Sequence, residues 1–292
     1  MKKQKRKAFS SKPTSYKEII LLPKDLKKYL PTSYDIIGNI ILVKINEEIK
    51  SYKKEIGKAL LEKNKNVKTI CSIQPVKGEL RTRNLEIIAG EKNTITQHNE
   101  FGLKIEVDVK KTYFSPRLAN ERKYISSLVQ KDEIVVDMFA GVAPFSIMIA
   151  KYSNPKIIYA LDKNKYAIEY AKKNIKINNV LDKVEVIQTD SKNIEKILGK
   201  KGVRADRIIM NLPFFSSEFL TYSFLIGNKR YITHLYRIIK ENDINKEIIK
   251  IKKIAKQGDI KIDNLKIRKI KTYAPREFYM GIDITAKKLS PM

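Results

Sequence analysis

The chain has 292 residues, 60 Lys and Arg against 32 Asp and Glu, a formal net charge of +28 and 42% hydrophobic residues; this length and composition suggest two domains with real cores. No apolar run approaches the roughly 20 residues that cross a bilayer, and MKKQKRKAF has no apolar segment behind its basic residues to make a signal peptide, so a soluble, cytoplasmic protein is expected. One cysteine, Cys71, excludes an internal disulfide and a cysteine-based zinc cluster, and two distant histidines, His98 and His234, argue against a metal site, which leaves carboxylates, Arg, Asn and a borrowed cofactor to carry any chemistry.

A charge of +28 exceeds what solubility needs. It points to a polyanionic partner, with nucleic acid leading because neutralised phosphates release counterions; lysine inflation in a hot habitat is the competing explanation. Residues 1–14 form a basic arm with Lys2, Lys3, Lys5, Arg6, Lys7 and Lys12 and little apolar content, expected to be flexible and to find phosphate. SYDIIGNIILVKI has two apolar runs about Gly38-Asn39, a two-residue hairpin turn. Asn46 can cap a helix with Ile49, Tyr52, Ile56, Ala59 and Leu60 on one face. A strand near Lys68–Ile73 follows, then a polar stretch with Arg81 and Arg83, then a second hairpin in which Leu103, Ile105, Val107 and Val109 alternate with polar residues. Residues 15–110 are therefore expected to be a small, basic α+β domain.

Past Lys110, apolar runs alternate with helical stretches, so residues 111–292 read as an α/β domain with a parallel sheet. KTYFSPRLANERKYI opens it: Ser115 can cap a helix with Pro116 in its first turn and Leu118, Ile125 and Leu128 on the core face, with Arg117 and Glu121 as an ordinary surface ion pair four residues apart. EIVVDMF, KIIYALD, KVEVIQTD and RADRIIMNLP are four central strands. After a poorly defined basic stretch, NLKIRKIKTYAPREFYMGIDITAKK gives a C-terminal hairpin through Ala274-Pro275. The methyltransferase variant of the dinucleotide-binding fold uses a reversed strand there, with its cofactor at the C-terminal ends of the first strands.

Three acids stand at three successive strand ends. Asp137 precedes a turn whose Ala140, Gly141 and Ala143 are small enough for the chain to pass close to a bulky cofactor, although a generic strand-to-helix turn has the same composition. Asp162, 25 residues on, can accept both hydroxyls of a ribose, whether of NAD or of S-adenosylmethionine. Asp190 can receive an adenine amino group. Asn211-Leu212-Pro213-Phe214, after the fourth strand, suits an enzyme that methylates a planar nitrogen: the amide holds the ring edge while an aromatic face or a carbonyl steadies the base. A proline-terminated strand is the plainer explanation.

YFSPRL with the following Glu121-Arg122, then DMFAGVAPF, NLP and YAPRE, in this order, resemble the archaeal and eukaryotic tRNA (guanine-N1-)methyltransferases that act at tRNA position 37 and their paralogues in wyosine biosynthesis. The similarity runs from about Ser15 onward and includes GELRTRNLEIIAGE. It implies a class I, Rossmann-like methyltransferase domain over 111–292, a small tRNA-binding domain over 15–110, S-adenosylmethionine as methyl donor, the anticodon stem-loop as partner and a monomer. Family members often begin with a further small domain that touches the tRNA elbow. This chain is expected to begin beyond it and to rely on the anticodon arm and its basic N-terminus.

The resemblance assigns Glu121 as general base, Arg81 to the guanine O6 and Asn211 to orienting the base. It assigns Asp137, Phe139, Gly141, Asp162, Asp190, Asn211 and Pro213 to the cofactor, and Tyr113, Arg117, Arg122, Pro213 and Phe214 to the substrate. The sequence departs from the family at Ala143, which replaces a glycine, at Lys165, which replaces a proline, and in FFSSEFL after NLP. The chemistry is intelligible in itself. Guanine N1 becomes a nucleophile only as a base takes its proton while charge moves to O6, an arginine there acts like an oxyanion hole, and the sulfonium methyl needs only in-line placement, without a metal. The nucleotide is expected to be splayed into the pocket. Methylation of C7 of 4-demethylwyosine is the nearest alternative, which Phe214 and Phe215 would suit; transfer of the aminocarboxypropyl arm of the same cofactor, and an RNA-binding protein with a vestigial cofactor fold, are the others.

Overall fold

The computed structural model describes residues 15–74 and 84–289. These divide into two compact units, the first comprising residues 15–74 and 84–96 and the second residues 97–289.

In the first unit a short helix α1 (Tyr16–Ile19) is capped by Ser15, whose hydroxyl accepts the Lys17 N–H at 3.3 Å. Strands β1 (Asp35–Ile37) and β2 (Ile40–Val43) form the expected hairpin, Ile37 opposite Ile40, and Gly38 alone in the turn takes a positive φ, +54°. The helix expected from Asn46 is broken in two. A 3-10 turn over Glu47–Tyr52 leaves helical geometry at Ile49 before α2 (Lys53–Lys63) begins. Asn46 gives no side-chain cap; its amide donates to the Tyr29 carbonyl at 3.1 Å. The apolar face is as read: Ile49, Ile56, Ala59 and Leu60 are buried. Helix α2 is the crossover that joins β2 to its parallel neighbour β3 (Thr69–Ile73), as parallel pairing requires. Strand β4 (Leu85–Gly90) closes the sheet antiparallel to β3, in the order β1-β2-β3-β4. Cys71 is buried in β3, and burial pushes its thiol up to about 12, so it stays protonated.

Strands β5 (Ile95–Glu100) and β6 (Leu103–Asp108) pair in a two-stranded sheet. Leu103, Ile105 and Val107 are buried, as their alternation indicated. The units divide after Thr96, whereas the sequence pattern placed the boundary after Lys110. The reason is that β6 is tied to the second unit by two asparagines. Asn174, on α5 (Lys165–Ile177), bonds both the N–H and the carbonyl of Glu106 at 2.7 and 2.9 Å, and Asn178 does the same for Lys104 at 3.0 and 2.7 Å.

The second unit is built on a seven-stranded sheet: β7 (Ile134–Asp137), β8 (Ile157–Asp162), β9 (Val184–Gln188), β10 (Ala205–Met210), β11 (Gly227–Lys240), β12 (Ile260–Ala274) and β13 (Glu277–Lys288). Their order is β12-β13-β11-β10-β7-β8-β9. All pairs are parallel except those of β13, which runs antiparallel to both β11 and β12. This is the expected methyltransferase topology with its reversed strand. The helices are α3 (Ala119–Leu128), α4 (Pro144–Tyr152), α5, α6 (Ile194–Ile197), α7 (Leu220–Ile226) and α8 (Ile244–Gln257). Ser115 precedes a 3-10 turn at Pro116–Leu118 and makes no side-chain cap. Strand residues alternate between two cores: Val136, Ile208 and Met210 face one, Val135, Ile158 and Ile209 the other. The strand order reverses at β7, with β8 and β9 added on one side and β10 and β11 on the other, so the crevice at its C-terminal end is where such a sheet binds ligands.

Candidate active site

The loop leaving β7 is shaped by two residues with positive φ: Gly141 at +56° and Ala143 at +64°. Ala143 precedes α4 in the left-handed conformation, with Pro144 in the first helical turn. A left-handed alanine costs roughly 1–2 kcal/mol, which is why glycine suits this position. The fully buried Ala143 methyl offsets part of that cost by packing in the core. Across the loop, the Gly141 N–H donates to Asp162 Oδ2 at 2.8 Å and the Asn164 N–H to Oδ1 at 2.8 Å. These two N–H groups fix the orientation of the carboxylate at the edge of the cleft. Asn164 caps α5 by accepting the Tyr166 N–H at 3.0 Å, so Lys165 occupies a first helical position, where a proline is favoured but not required. Asp190 accepts the Lys192 N–H at 2.9 Å, which orients its carboxylate.

These residues edge a cleft of about 1030 Å³, including the solvent at its mouth. Of the residues singled out in the sequence, Tyr113, Phe139, Gly141, Asp162, Asp190 and Asn211 line it, as does Arg122. Leu118, Met138, Phe145, Leu212, Phe215 and Phe219 supply apolar wall, and Phe139 meets Phe219 edge-on at 5.0 Å. Paired acceptors at one strand end, an acid at the next and an apolar slot between them fit a nucleoside with a ribose diol and an adenine ring.

The roles assigned to Asp137 and Arg122 are corrected, and Arg117, Pro213 and Phe214 stand outside the cleft lining. Asp137 is fully buried and stands behind the wall, where it accepts the Ser146 hydroxyl at 2.9 Å. Burial pushes its carboxyl up to about 7, opposed by the Ser146 and Phe139 hydrogen bonds. It braces the loop and the start of α4. Arg122 lines the cleft with its guanidinium already committed: it pairs with Glu100 through Nε at 2.6 Å and through Nη2, and Nη2 also donates to the Ser115 carbonyl at 3.2 Å. With side chains 1% and 3% exposed, this pair locks α3 to β5 and leaves no face for a substrate. Arg117 is exposed and lies outside the cleft lining. Pro213 is buried beside the cleft, its carbonyl accepting the Ile238 N–H at 3.1 Å, which fixes the turn onto β11. Phe214 stands 44% exposed, edge-on to Tyr273 at 5.9 Å. Arg81 lies outside the described residues, as do Arg83 and the basic arm.

Glu121 is no surface residue. It is 7% exposed and accepts Arg268 Nη1 on Oε2 and Nη2 on Oε1, each at 2.9 Å, and the Tyr236 hydroxyl on Oε1 at 2.8 Å. These partners stand in place of the plainer alternative, a surface pair with Arg117. Tyr236 packs against Tyr279 with centroids 6.0 Å apart, and the Tyr279 hydroxyl donates to Asn211 Oδ1 on the cleft wall. Glu121 is outside the cleft lining and is linked to Asn211 through Tyr236 and then Tyr279. Tyr236, Arg268 and Tyr279 were not identified from the sequence.

Residues 96–263 match the TRM5/TYW2 methyltransferase domain, and residues 16–94 match the TYW2 N-terminal domain. The chain belongs to the TRM5/TYW2 methyltransferase family. It is 44% identical over 276 residues to the tRNA (guanine(37)-N(1))-methyltransferase Trm5b of Pyrococcus abyssi, spanning 94% of this chain and 81% of the relative. The crystal structure of Pyrococcus abyssi Trm5b superposes with a TM-score of 0.85, covering 95% of this chain and 82% of the other. The tRNA(Phe) (4-demethylwyosine(37)-C(7)) aminocarboxypropyltransferase of Pyrococcus horikoshii is 32% identical over 91% of this chain and 94% of its own. The complex of aTrm5 with tRNALeu is 37% identical, with a TM-score of 0.77 over 90% of this chain and 74% of the other. Methanocaldococcus jannaschii TYW2 in complex with AdoMet is 27% identical, with a TM-score of 0.68 over 88% of this chain and the whole of the other.

No helix among the described residues is long and apolar enough to cross a membrane, and no group of three or more His, Cys, Asp or Glu side chains among them could hold a metal ion.

Proposed function

We propose that this chain transfers a methyl group from S-adenosylmethionine to N1 of guanosine at tRNA position 37, acting as a monomer in the cytoplasm, where its substrate is. The observation that carries the proposal is the 44% identity with Pyrococcus abyssi Trm5b over nearly the whole chain, in company with a cleft whose acceptors suit the cofactor. Asp162 would take the ribose hydroxyls, Asp190 the adenine amino group, and Phe139, Gly141 and the apolar wall the adenosine faces. When bound, the cofactor supplies a methyl carbon activated as an electrophile by the sulfonium.

The protein's own groups do the rest. Asn211, on the cleft wall with its amide oxygen accepting from Tyr279, orients the guanine edge. Glu121 takes the N1 proton: about four acceptor sites on a carboxylate less the three used by Arg268 and Tyr236 leave one, on Oε2. Arg81 meets the charge that develops on O6. Tyr113 flanks the base, and the exposed Phe214 offers a stacking face. The basic surface, +28 over the chain, holds the anticodon arm through phosphates.

A second reading is favoured by the match of residues 16–94 to the TYW2 N-terminal domain and by the Pyrococcus horikoshii relative. That relative's name replaces methyl by aminocarboxypropyl transfer at C7 of the wyosine precursor. The two reactions break different carbon–sulfur bonds of one sulfonium. The test uses cofactor labelled in the methyl group or in the aminocarboxypropyl arm, with tRNA transcripts carrying guanosine or another base at position 37, and identifies the nucleoside by mass spectrometry. Methyl label in 1-methylguanosine, dependent on guanosine 37, supports the proposal; label transferred only from the arm, or no transfer, overturns it.

A further inference from the structure

A row of ionisable side chains crosses four adjacent strands of the large sheet and ends at Glu121. It starts at Glu133, before β7, whose carboxylate accepts Arg207 Nε and Nη2 at 2.7 and 2.8 Å. Arg207, on β10, places Nη1 2.8 Å from His234 Nε2 on β11. His234 Nδ1 is 2.7 Å from Asp283 Oδ1 on β13. Asp283 accepts Arg268 Nε at 2.9 Å and Nη2 at 3.2 Å from β12, and Arg268 gives its other face to Glu121.

The row has one consistent protonation pattern. Guanidinium only donates, so His234 Nε2 must accept from Arg207 and Nδ1–H must donate to Asp283. Burial favours the neutral ring. Three carboxylates then face two guanidiniums, which leaves one negative charge, and Glu121 is the end member of the row. Four of the five Arg268 N–H groups are spent on two carboxylates, and its guanidinium carbon lies 4.4 Å from the centre of the Tyr124 ring. The fork is held on three sides. Stability accounts poorly for such a row, since apolar side chains of similar volume often serve as well.

We propose that Arg268, fixed by the Asp283–His234–Arg207 row, is the positioning residue that aims Glu121 at its proton. The inference rests on the proton-acceptor reading given above. The two bonds from Arg268 and the one from Tyr236 fix both carboxylate oxygens and leave a single direction for the remaining lone pair, so the acceptor is set before substrate arrives.

The test is single-turnover methylation of a guanosine-37 transcript by Arg268→Ala and Arg268→Lys, with both substrates saturating and below each variant's unfolding temperature. Arg268→Ala is expected to lose about 10²-fold in rate, the usual result of misplacing a reacting group by an ångström, with affinities for tRNA and cofactor unchanged. Added guanidinium ion restores part of the rate. Arg268→Lys keeps the charge without the two-pronged fork and falls between Ala and parent; should the Ala variant fail to fold, Lys alone decides. A folded Arg268→Ala protein that methylates within a few-fold of the parent, or a folded Arg268→Lys protein as fast as the parent, overturns the positioning role. Glu121→Gln is run beside them. If it is inactive while the Arg268 variants are fast, only the positioning role fails; if it too is fast, the proton-acceptor reading itself fails.

Discussion

Replacing Asp162 by alanine tests the cofactor site where the structure is most explicit. The carboxylate accepts the Gly141 and Asn164 N–H groups, both at 2.8 Å, so it holds the loop after β7 as well as facing the cleft. Removing it strips ligand hydroxyls of a charged acceptor and unties Gly141, whose φ of +56° gives the loop its bend. Leaving such partners unpaired costs about 1–3 kcal/mol. At 1.4 kcal/mol per tenfold, that is roughly a 5- to 150-fold rise in the dissociation constant of S-adenosylmethionine. Asp162→Asn is expected to rescue little, because an amide has one accepting atom and cannot serve both N–H groups. Isothermal titration with S-adenosylmethionine and separate tRNA-binding measurements check this: tRNA affinity should stay near that of the parent. An Asp162→Ala protein that binds the cofactor as tightly as the parent would refute the reasoning, and so would a parent that binds nicotinamide dinucleotides in place of S-adenosylmethionine.

Other outcomes follow from charge and burial. Binding of tRNA should weaken steeply between low and physiological salt, and deletion of residues 1–12 should lower affinity without abolishing chemistry at saturating tRNA; salt-insensitive binding contradicts the electrostatic argument. Asp283 is held down to about 2, against its own burial, by His234 and Arg268. It therefore binds fewer protons folded than unfolded, and its contribution to stability is complete above about pH 4 and is lost as pH falls toward 2; in acid titrations followed by circular dichroism, Asp283→Asn should lack that component. Asp137, raised to about 7 by burial, has the opposite sign. It favours the folded state least at high pH, costing about 1.4 kcal/mol per pH unit between about 4 and 7, so Asp137→Asn should gain stability relative to the parent as pH rises through that window, as read by urea denaturation.

Elements that announce themselves locally were legible. Each of β7 to β10 is a short apolar run with a polar residue at its end, and the Gly38-Asn39 turn and the alternation of Leu103, Ile105 and Val107 need no tertiary information. Strand β11 was not read, because Thr233 and His234 are polar yet buried among apolar neighbours while Lys229, Arg230 and Arg237 break any two-residue period. Helix α8 buries only Ile251 and Ala255 and surrounds them with lysines, so it read as a poorly defined basic stretch. In the cleft wall, Asp162, Asp190 and Asn211 stand at the strand ends where the sequence placed them, whereas Asp137 is buried behind it. What each side chain is bonded to was not legible, because the partners are remote: Glu121 meets Arg268 across 147 residues, and Arg122 spends its charge on Glu100. A sequence shows that a charge is present and says nothing of where it is neutralised.

The central claim is that Glu121 accepts the N1 proton, and the single-turnover rate of Glu121→Gln, measured with saturating cofactor and tRNA, tests it most directly. Glutamine keeps the shape and accepts from Tyr236 or Arg268 with its one oxygen, but cannot take a proton. Because the side chain is buried and doubly bonded to Arg268, the variant will also lose stability, so the rate is read well below its unfolding temperature. A fall of roughly 10² to 10⁴ with both ligands still bound is the predicted result; a folded variant that methylates guanosine within a few-fold of the parent contradicts it, and would leave Glu121 a structural anchor for Arg268.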